Sequence, residues 1–144
     1  MLSFYDDKYD PLANDPLKSF HNGHSGEEFQ NLFYIRNFDP ATYYTNIIIK
    51  PKFRLAYYDD SGLDGNTGWS VKLMYGKSKP SNEEWDEVEG GEEIHLPDIG
   101  TLESSDTGTF HPVWFRIYCP GNSKAQIKKN IYFEISFNEK QVVL

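Results

Sequence analysis

The side chains able to do covalent or metal chemistry are few: four histidines, one cysteine and scattered hydroxyl and carboxylate groups in 144 residues. His21 and His24 flank Asn22-Gly23, and two imidazoles on a turn hold a transition metal only when a third ligand arrives from elsewhere. No Cys/His spacing supplies one, so a polar loop is expected. His95 lies in a short apolar run and His111 precedes Pro112; both read as structural. Ser104-Ser105-Asp106-Thr107-Gly108 sets hydroxyls near a carboxylate, but no histidine stands in motif spacing to activate one, which leaves a turn. Cys119, followed by Pro120 on a core-facing register, reads as a buried inert thiol.

The oxygen-rich run Asp59-Asp60-Ser61-Gly62-Leu63-Asp64-Gly65-Asn66 has ligands that calcium prefers, yet it departs from the EF-hand order and lacks the bidentate glutamate. A solvated loop is expected. Glu83, Glu84, Asp86, Glu87, Glu89, Glu92 and Glu93 cluster without the paired arrangement a glycosidase needs, and read as a solvated face. The expectation is therefore no catalytic residue, no metal and no cofactor.

Aromatic residues make up 16% of the chain, more than a core requires. Tyr43, Tyr44, Tyr57, Tyr58, Trp114, Tyr118 and Tyr132 fall on expected outward faces or loops. Tyrosine and tryptophan anchor interfaces because they bury much area at low entropic cost, and sugar rings stack on them. Binding is favoured over catalysis.

These residues must be positioned by strands. Period-two alternation places Trp69, Val71, Leu73 and Tyr75 on one face of residues 69–75, Val113, Phe115, Ile117 and Cys119 on one face of 113–119, and Ile131, Phe133, Ile135 and Phe137 on one face of 131–137. Residues 32–37 point Phe33 and Ile35 one way and Tyr34 and Arg36 the other. A β-branched run follows over 44–50, another strand is expected over 52–58 after Pro51, and a short one over 94–96. Between 37 and 40, Asn37-Phe38-Asp39-Pro40 carries turn chemistry for a hairpin or a corner between sheets. Turn residues recur at sandwich spacing, and seven to nine strands are expected. Ser81 with Glu84 forms a capping box opening one or two helical turns that tuck Trp85 against a sheet.

Residues 1–15 have no period for either regular structure. Phe4, Tyr5, Tyr9 and Leu12 are strewn among aspartates, so this stretch is expected to be an extended arm that docks its large side chains on a neighbour. The predicted organisation is an arm over 1–15 and a domain over 16–144: an all-β, immunoglobulin-like or jelly-roll-like antiparallel β-sandwich with one short helix.

Composition narrows the partners. A net charge of -8 opposes nucleic-acid binding. No stretch reaches the roughly 18 apolar residues of a membrane helix, and the first residues lack the basic flank and apolar centre of a secretory signal. With one unpaired cysteine, assembly in a reducing compartment, the cytoplasm, is expected.

Two sets of residues resemble small virion structural proteins of tailed bacteriophages. The first is Phe20-His21-Asn22-Gly23 through Gly26-Glu27, then 32–37 and 43–47. The second is Gly68-Trp69, Pro97-Asp98-Ile99-Gly100, Asp106-Thr107-Gly108-Thr109-Phe110-His111-Pro112-Val113-Trp114 onward to Ile117, and Cys119-Pro120-Gly121. The resemblance implies a sandwich attached to a capsid, neck or tail in many copies, assembled in the host cytoplasm. The sequence reading is thus a capsid decoration or cement protein that grips the major capsid protein or other virion proteins through Phe4, Tyr5, Tyr9, Leu12, Tyr43, Tyr44 and Trp114. Its rivals are a tail, neck or baseplate component, a carbohydrate-binding module with Trp85, Trp114 and loop tyrosines as platforms, and a small hydrolase.

Overall fold

Alternation decides which side chains meet, and two sheets close on one another through it. The computed structural model describes residues 2–12, 20–21, 27–53, 70–119, 126–127 and 131–143, with backbone alone for 20–21, 27–29, 52–53, 70, 118–119, 126–127 and 131–132. The described strands are β1 (Leu2–Tyr5), β2 (Phe20–His21), β3 (Glu27–Asn37), β4 (Thr42–Phe53), β5 (Ser70–Tyr75), β6 (Ile94–Leu96), β7 (His111–Cys119), β8 (Gln126–Ile127) and β9 (Ile131–Gln141), and the helix α1 is Asn82–Asp86. All strand pairs are antiparallel: a four-stranded sheet β1-β3-β7-β5, a three-stranded sheet β6-β4-β9 and a small β2-β8 ribbon. The chain is an all-β sandwich, as its periodicity predicts.

The odd-numbered faces of β3, β5 and β7 supply one wall of the core, with Phe33, Ile35, Val71, Leu73, Val113, Phe115 and Ile117 buried. β4 supplies Tyr44, Ile47 and Ile49 from the other sheet. Phe133 of β9 bridges the walls, its ring 5.3 Å from Phe33 and 5.5 Å from Phe115. Each fully buried isoleucine or leucine contributes about 1.5–3 kcal/mol relative to an exposed one. Phe137, expected in this core, is 41% exposed. It lies opposite the register shift of β4, on β9, which borders its sheet among the described residues, and meets Tyr44 edge-on at 5.1 Å.

Tyr44 itself corrects the sequence reading, which placed it outward: it is fully buried. The register of β4 against β9 shifts between Thr45 and Ile48, so β4 carries one extra residue there. Asn46, at φ 52°, takes the left-handed conformation that asparagine tolerates better than most residues. The bulge flips the parity of the strand. Even positions Thr42 and Tyr44 face inward before it, and odd positions Ile47 and Ile49 after it. The Tyr44 hydroxyl donates to Glu139 Oε1 at 2.8 Å, which makes burying a phenol tolerable. Pro51 does not separate two strands as expected; β4 runs through it, pairing it with Phe133. β6 reaches only Ile49 on the other side of β4, so the missing N–H breaks no described ladder there. Residues 54–58 of the expected further strand lie outside the described residues.

The turn after β3 is a corner between the sheets. Asn37 is fully buried at its root: Nδ2 donates to the carbonyls of Thr42 and Ser105, both at 2.9 Å, and Oδ1 accepts from the Asp39 N–H at 2.8 Å. Gly100, at φ 88°, lets the following loop pass close, since a Cβ there would stand 2.6 Å from the Ser104 carbonyl oxygen.

The expected arm belongs to the domain. Leu2–Tyr5 pairs with Tyr34–Asn37 as the edge strand of the larger sheet, and residues 11–12 fold back so that the Leu12 N–H donates to the Phe4 carbonyl at 2.8 Å. Leu2 is buried, while Phe4 and Leu12 pack against the core. Four residues followed at once by a turn are too few to display a period, so no strand signal stands out there. Residues 13–15 lie outside the described residues.

Candidate functional site

The outer face of the four-stranded sheet is built from the even positions of β3, β5 and β7, and the registers set them in rows across the strands. Gln30, Arg116 and Lys72 form one row, Leu32, Trp114 and Met74 the next, and Tyr5, Tyr34 and Pro112 a third, with Arg36 beyond. Both ends of this face are roofed.

At one end α1 covers the first row. The capping box forms as predicted, Ser81 Oγ accepting from the Glu84 N–H at 3.2 Å and Glu84 Oε1 accepting from the Ser81 N–H at 3.1 Å. It seats Trp85 so that the ring is fully buried and its Nε1 donates to Gln30 Oε1 at 3.0 Å. Lys72 Nζ donates to the Trp85 carbonyl at 3.0 Å, and Arg116 Nη2 to Asn82 Oδ1 at 3.0 Å. Trp85 is therefore no platform for a ligand. The acidic residues around it, Glu83, Glu84, Asp86, Glu87, Glu89, Glu92 and Glu93, are exposed, as expected.

At the other end Tyr5 is buried beneath Phe110, edge-on at 5.1 Å, and near Phe38 at 6.0 Å. The Arg36 guanidinium lies 5.0 Å from the Phe38 ring and 4.9 Å from that of Phe110, and its Nε donates to the Thr107 carbonyl at 2.6 Å. This cation–π sandwich fixes the loop that carries Phe110.

Between the two roofs a cleft of about 280 Å³ remains. Its floor is Leu32, Tyr34, Pro112 and Trp114, and its rim is Tyr9, Phe110 and Lys77. Tyr9 stacks on Tyr34 at 4.7 Å, 13° from parallel, and Phe110 meets the two rings edge-on at 5.0 and 5.9 Å. The Trp114 Nε1 donates to the Gly76 carbonyl at 3.0 Å, which locks its ring. The neighbouring Tyr9 hydroxyl, followed by desolvation and the charge of Asp7, pushes the Tyr34 pKa up to about 12. Tyr9 is placed by a tight turn in which Asp6 Oδ1 accepts from the N–H groups of Lys8 and Asp10, both at 2.9 Å.

Of the residues the sequence nominated for binding, the structure brings Tyr9 and Trp114 together in this cleft. Tyr5 and Tyr44 are corrected: both are buried and unavailable to a partner. Phe4 and Leu12 are spent on the core, and Tyr43 is half-buried beneath Gly100. Tyr34, Phe110 and Lys77 were not nominated. The alternation did put Tyr34 opposite Phe33 and Ile35, but nothing in the sequence joins it to Tyr9 and Phe110 across loops. Tyr57, Tyr58, His24 and the oxygen-rich run 59–66 lie outside the described residues, and His21, Tyr118, Cys119 and Tyr132 have no described side chain.

The histidines with described side chains sit apart from the cleft floor. His95 is exposed, 3.5 Å from Glu93. His111 is buried on the inner face, its Nδ1 3.3 Å from the Tyr75 hydroxyl and its Nε2 4.0 Å from Asp106 Oδ2. Burial pushes its pKa down, against the opposing pull of Asp106 and with a smaller push from Lys77. Among the described residues no group of three or more histidines, cysteines or carboxylates could hold a metal ion, and no helix is long and apolar enough to cross a membrane.

The chain matches no protein-family model, no curated protein and no solved structure.

Proposed function

We propose that the chain is a non-enzymatic virion structural protein, a capsid decoration protein of a tailed bacteriophage that binds the major capsid protein in many copies and is assembled in the host cytoplasm. In this reading the sandwich is of the immunoglobulin-like or jelly-roll-like kind, and it stabilises the lattice by adding buried interface. The reading rests on the resemblance of residues 20–23, 26–27, 32–37, 43–47, 68–69, 97–100, 106–117 and 119–121 to such proteins.

The observation that carries the mode of attachment is the apolar end of the sandwich. Phe38, Leu102 and Val143 are 53%, 53% and 61% exposed. The Val143 N–H donates to the Leu102 carbonyl at 2.7 Å, the Val142 N–H to the Ala41 carbonyl at 2.9 Å, and Asn37 ties the Phe38 turn to the loop at Ser105. Large apolar side chains held on rigid backbone lose little entropy on docking, and apolar patches rimmed by polar groups mark protein contacts. With Leu2–Tyr5 committed to its own sheet, this end replaces the arm as the gripping surface.

Particles of the encoding phage, purified by density gradient, are expected to contain the chain, with gold-labelled antibody on the head. A Phe38→Ser, Leu102→Ser, Val143→Ser variant should keep the wild-type circular dichroism spectrum and be lost from particles. Label on the tail axis would move the protein to the tail, neck or baseplate, and its absence from particles would end the virion reading.

A further inference from the structure

We infer that the cleft between Tyr9, Tyr34, Phe110 and Trp114 is a binding site for a single pyranose sugar ring, with Lys77 reading a carboxylate on it. The inference stands apart from the virion reading, since it concerns the outer sheet face and not the apolar end.

Position is the first argument. The cleft lies on the outer sheet face between α1, which roofs one side, and the Tyr5–Phe110–Arg36 cluster on the other. Its walls are preorganised. Trp114 is locked by its bond to Gly76, and Tyr9 is held at φ 65°, a conformation that residues other than glycine rarely adopt. Tyr9 is nevertheless 54% exposed, so a disfavoured backbone holds at the lip an aromatic ring that is stacked on Tyr34 and still half open to solvent. Such outliers cluster where a ligand is held.

Chemistry selects the occupant. At about 280 Å³ the space falls just below the usual range for small-molecule clefts, roughly 300–1,000 Å³, which suits one ring and not an extended chain. Proline-rich peptides are read by aromatic grooves that also donate hydrogen bonds to the peptide carbonyls. Here the Trp114 indole donor is already spent on Gly76. What remains is the ring surface that the Tyr9–Tyr34 stack leaves open for an apolar sugar face, the two phenol hydroxyls, and the exposed Lys77, the one cation among the described residues that line the cleft. A lysine on the rim complements a sugar acid better than a neutral sugar, against the opposing charge of Asp7 that reaches Tyr34.

The test is titration of the full chain with glucose, galactose, N-acetylglucosamine, glucuronic acid and galacturonic acid, followed by NMR at the Trp114 indole N–H. At least one uronic acid should shift that signal with a Kd on the order of 1 mM and bind more tightly than its neutral counterpart. Tyr9→Ala, at the exposed lip, should weaken binding at least tenfold. Lys77→Gln, which leaves the rings in place, should abolish the preference for the acid. The inference is overturned if all five sugars leave the Trp114 signal unmoved, if the shifts fall outside the cleft, or if a polyproline peptide shifts the signal where the sugars do not.

Discussion

Asn37, the last residue of β3, donates to the carbonyl oxygen of Ser105 at 2.9 Å from a site with no solvent exposure. The same amide nitrogen donates to Thr42, so one side chain joins the corner between the sheets to the loop before β7. Asn37→Ala would leave two carbonyls and the Asp39 N–H without this partner. A loss of about 3 kcal/mol of unfolding free energy is expected, measured by urea denaturation.

Gly100 permits the close approach of that loop. Gly100→Ala places a methyl group against the carbonyl oxygens of Ser104 and Ser105 and the Tyr43 Cβ at a positive φ. It should cost about 2 kcal/mol. Gly108, around which a Cβ would meet nothing within 4 Å, is the control: Gly108→Ala should leave the urea midpoint nearly unchanged.

Tyr9 combines a favourable ring contact with an unfavourable backbone. Tyr9→Ala removes the stacking on Tyr34 and keeps the strain, whereas Tyr9→Gly removes both. The glycine variant should therefore be the more stable of the two by about 1 kcal/mol, reversing the usual order of these residues. Equal stabilities would show that the turn relaxes when the ring is lost. In Tyr9→Phe the Tyr34 phenol, held near 12 chiefly by the Tyr9 hydroxyl, should titrate closer to 10, followed by ultraviolet absorbance.

His111 makes stability depend on pH in one direction. Burial lowers its folded pKa below the ordinary 6.5, so in mildly acid solution the unfolded chain takes up the proton before the folded one does. The stability held above about pH 6.5 is then lost as pH falls toward the folded value. Urea midpoints between pH 8 and pH 5 should fall, by less in His111→Gln and by more in Asp106→Asn, which removes the carboxylate that eases protonation. A wild-type midpoint that rises on acidification would refute this.

The core was legible where side chains alternate without interruption. Phe33 and Ile35, Val71 and Leu73, and Val113, Phe115 and Ile117 face inward as their spacing requires. The helix at Ser81 was equally legible, because a capping box is local chemistry. Tyr44 was not, because an extra residue in β4 is visible only against its partner strand. The cleft was half legible: aromatic excess drew attention to Trp114 and the large side chains of residues 1–15 to Tyr9, while Phe110 and Lys77 reach it through loops whose paths depend on tertiary bonds such as Arg36 to Thr107.

In any chain that shares this β4, the extra residue at Asn46 sets the two halves of the strand one alignment column out of phase. An ungapped comparison with a sandwich strand that lacks it matches core columns to Tyr44, or to Ile47 and Ile49, but never to all three. Half of the apolar signal of a strand rich in isoleucine is then scored against solvent-facing columns. A relative is therefore better sought by allowing a one-residue gap after Thr45 than by extending the alternation through it.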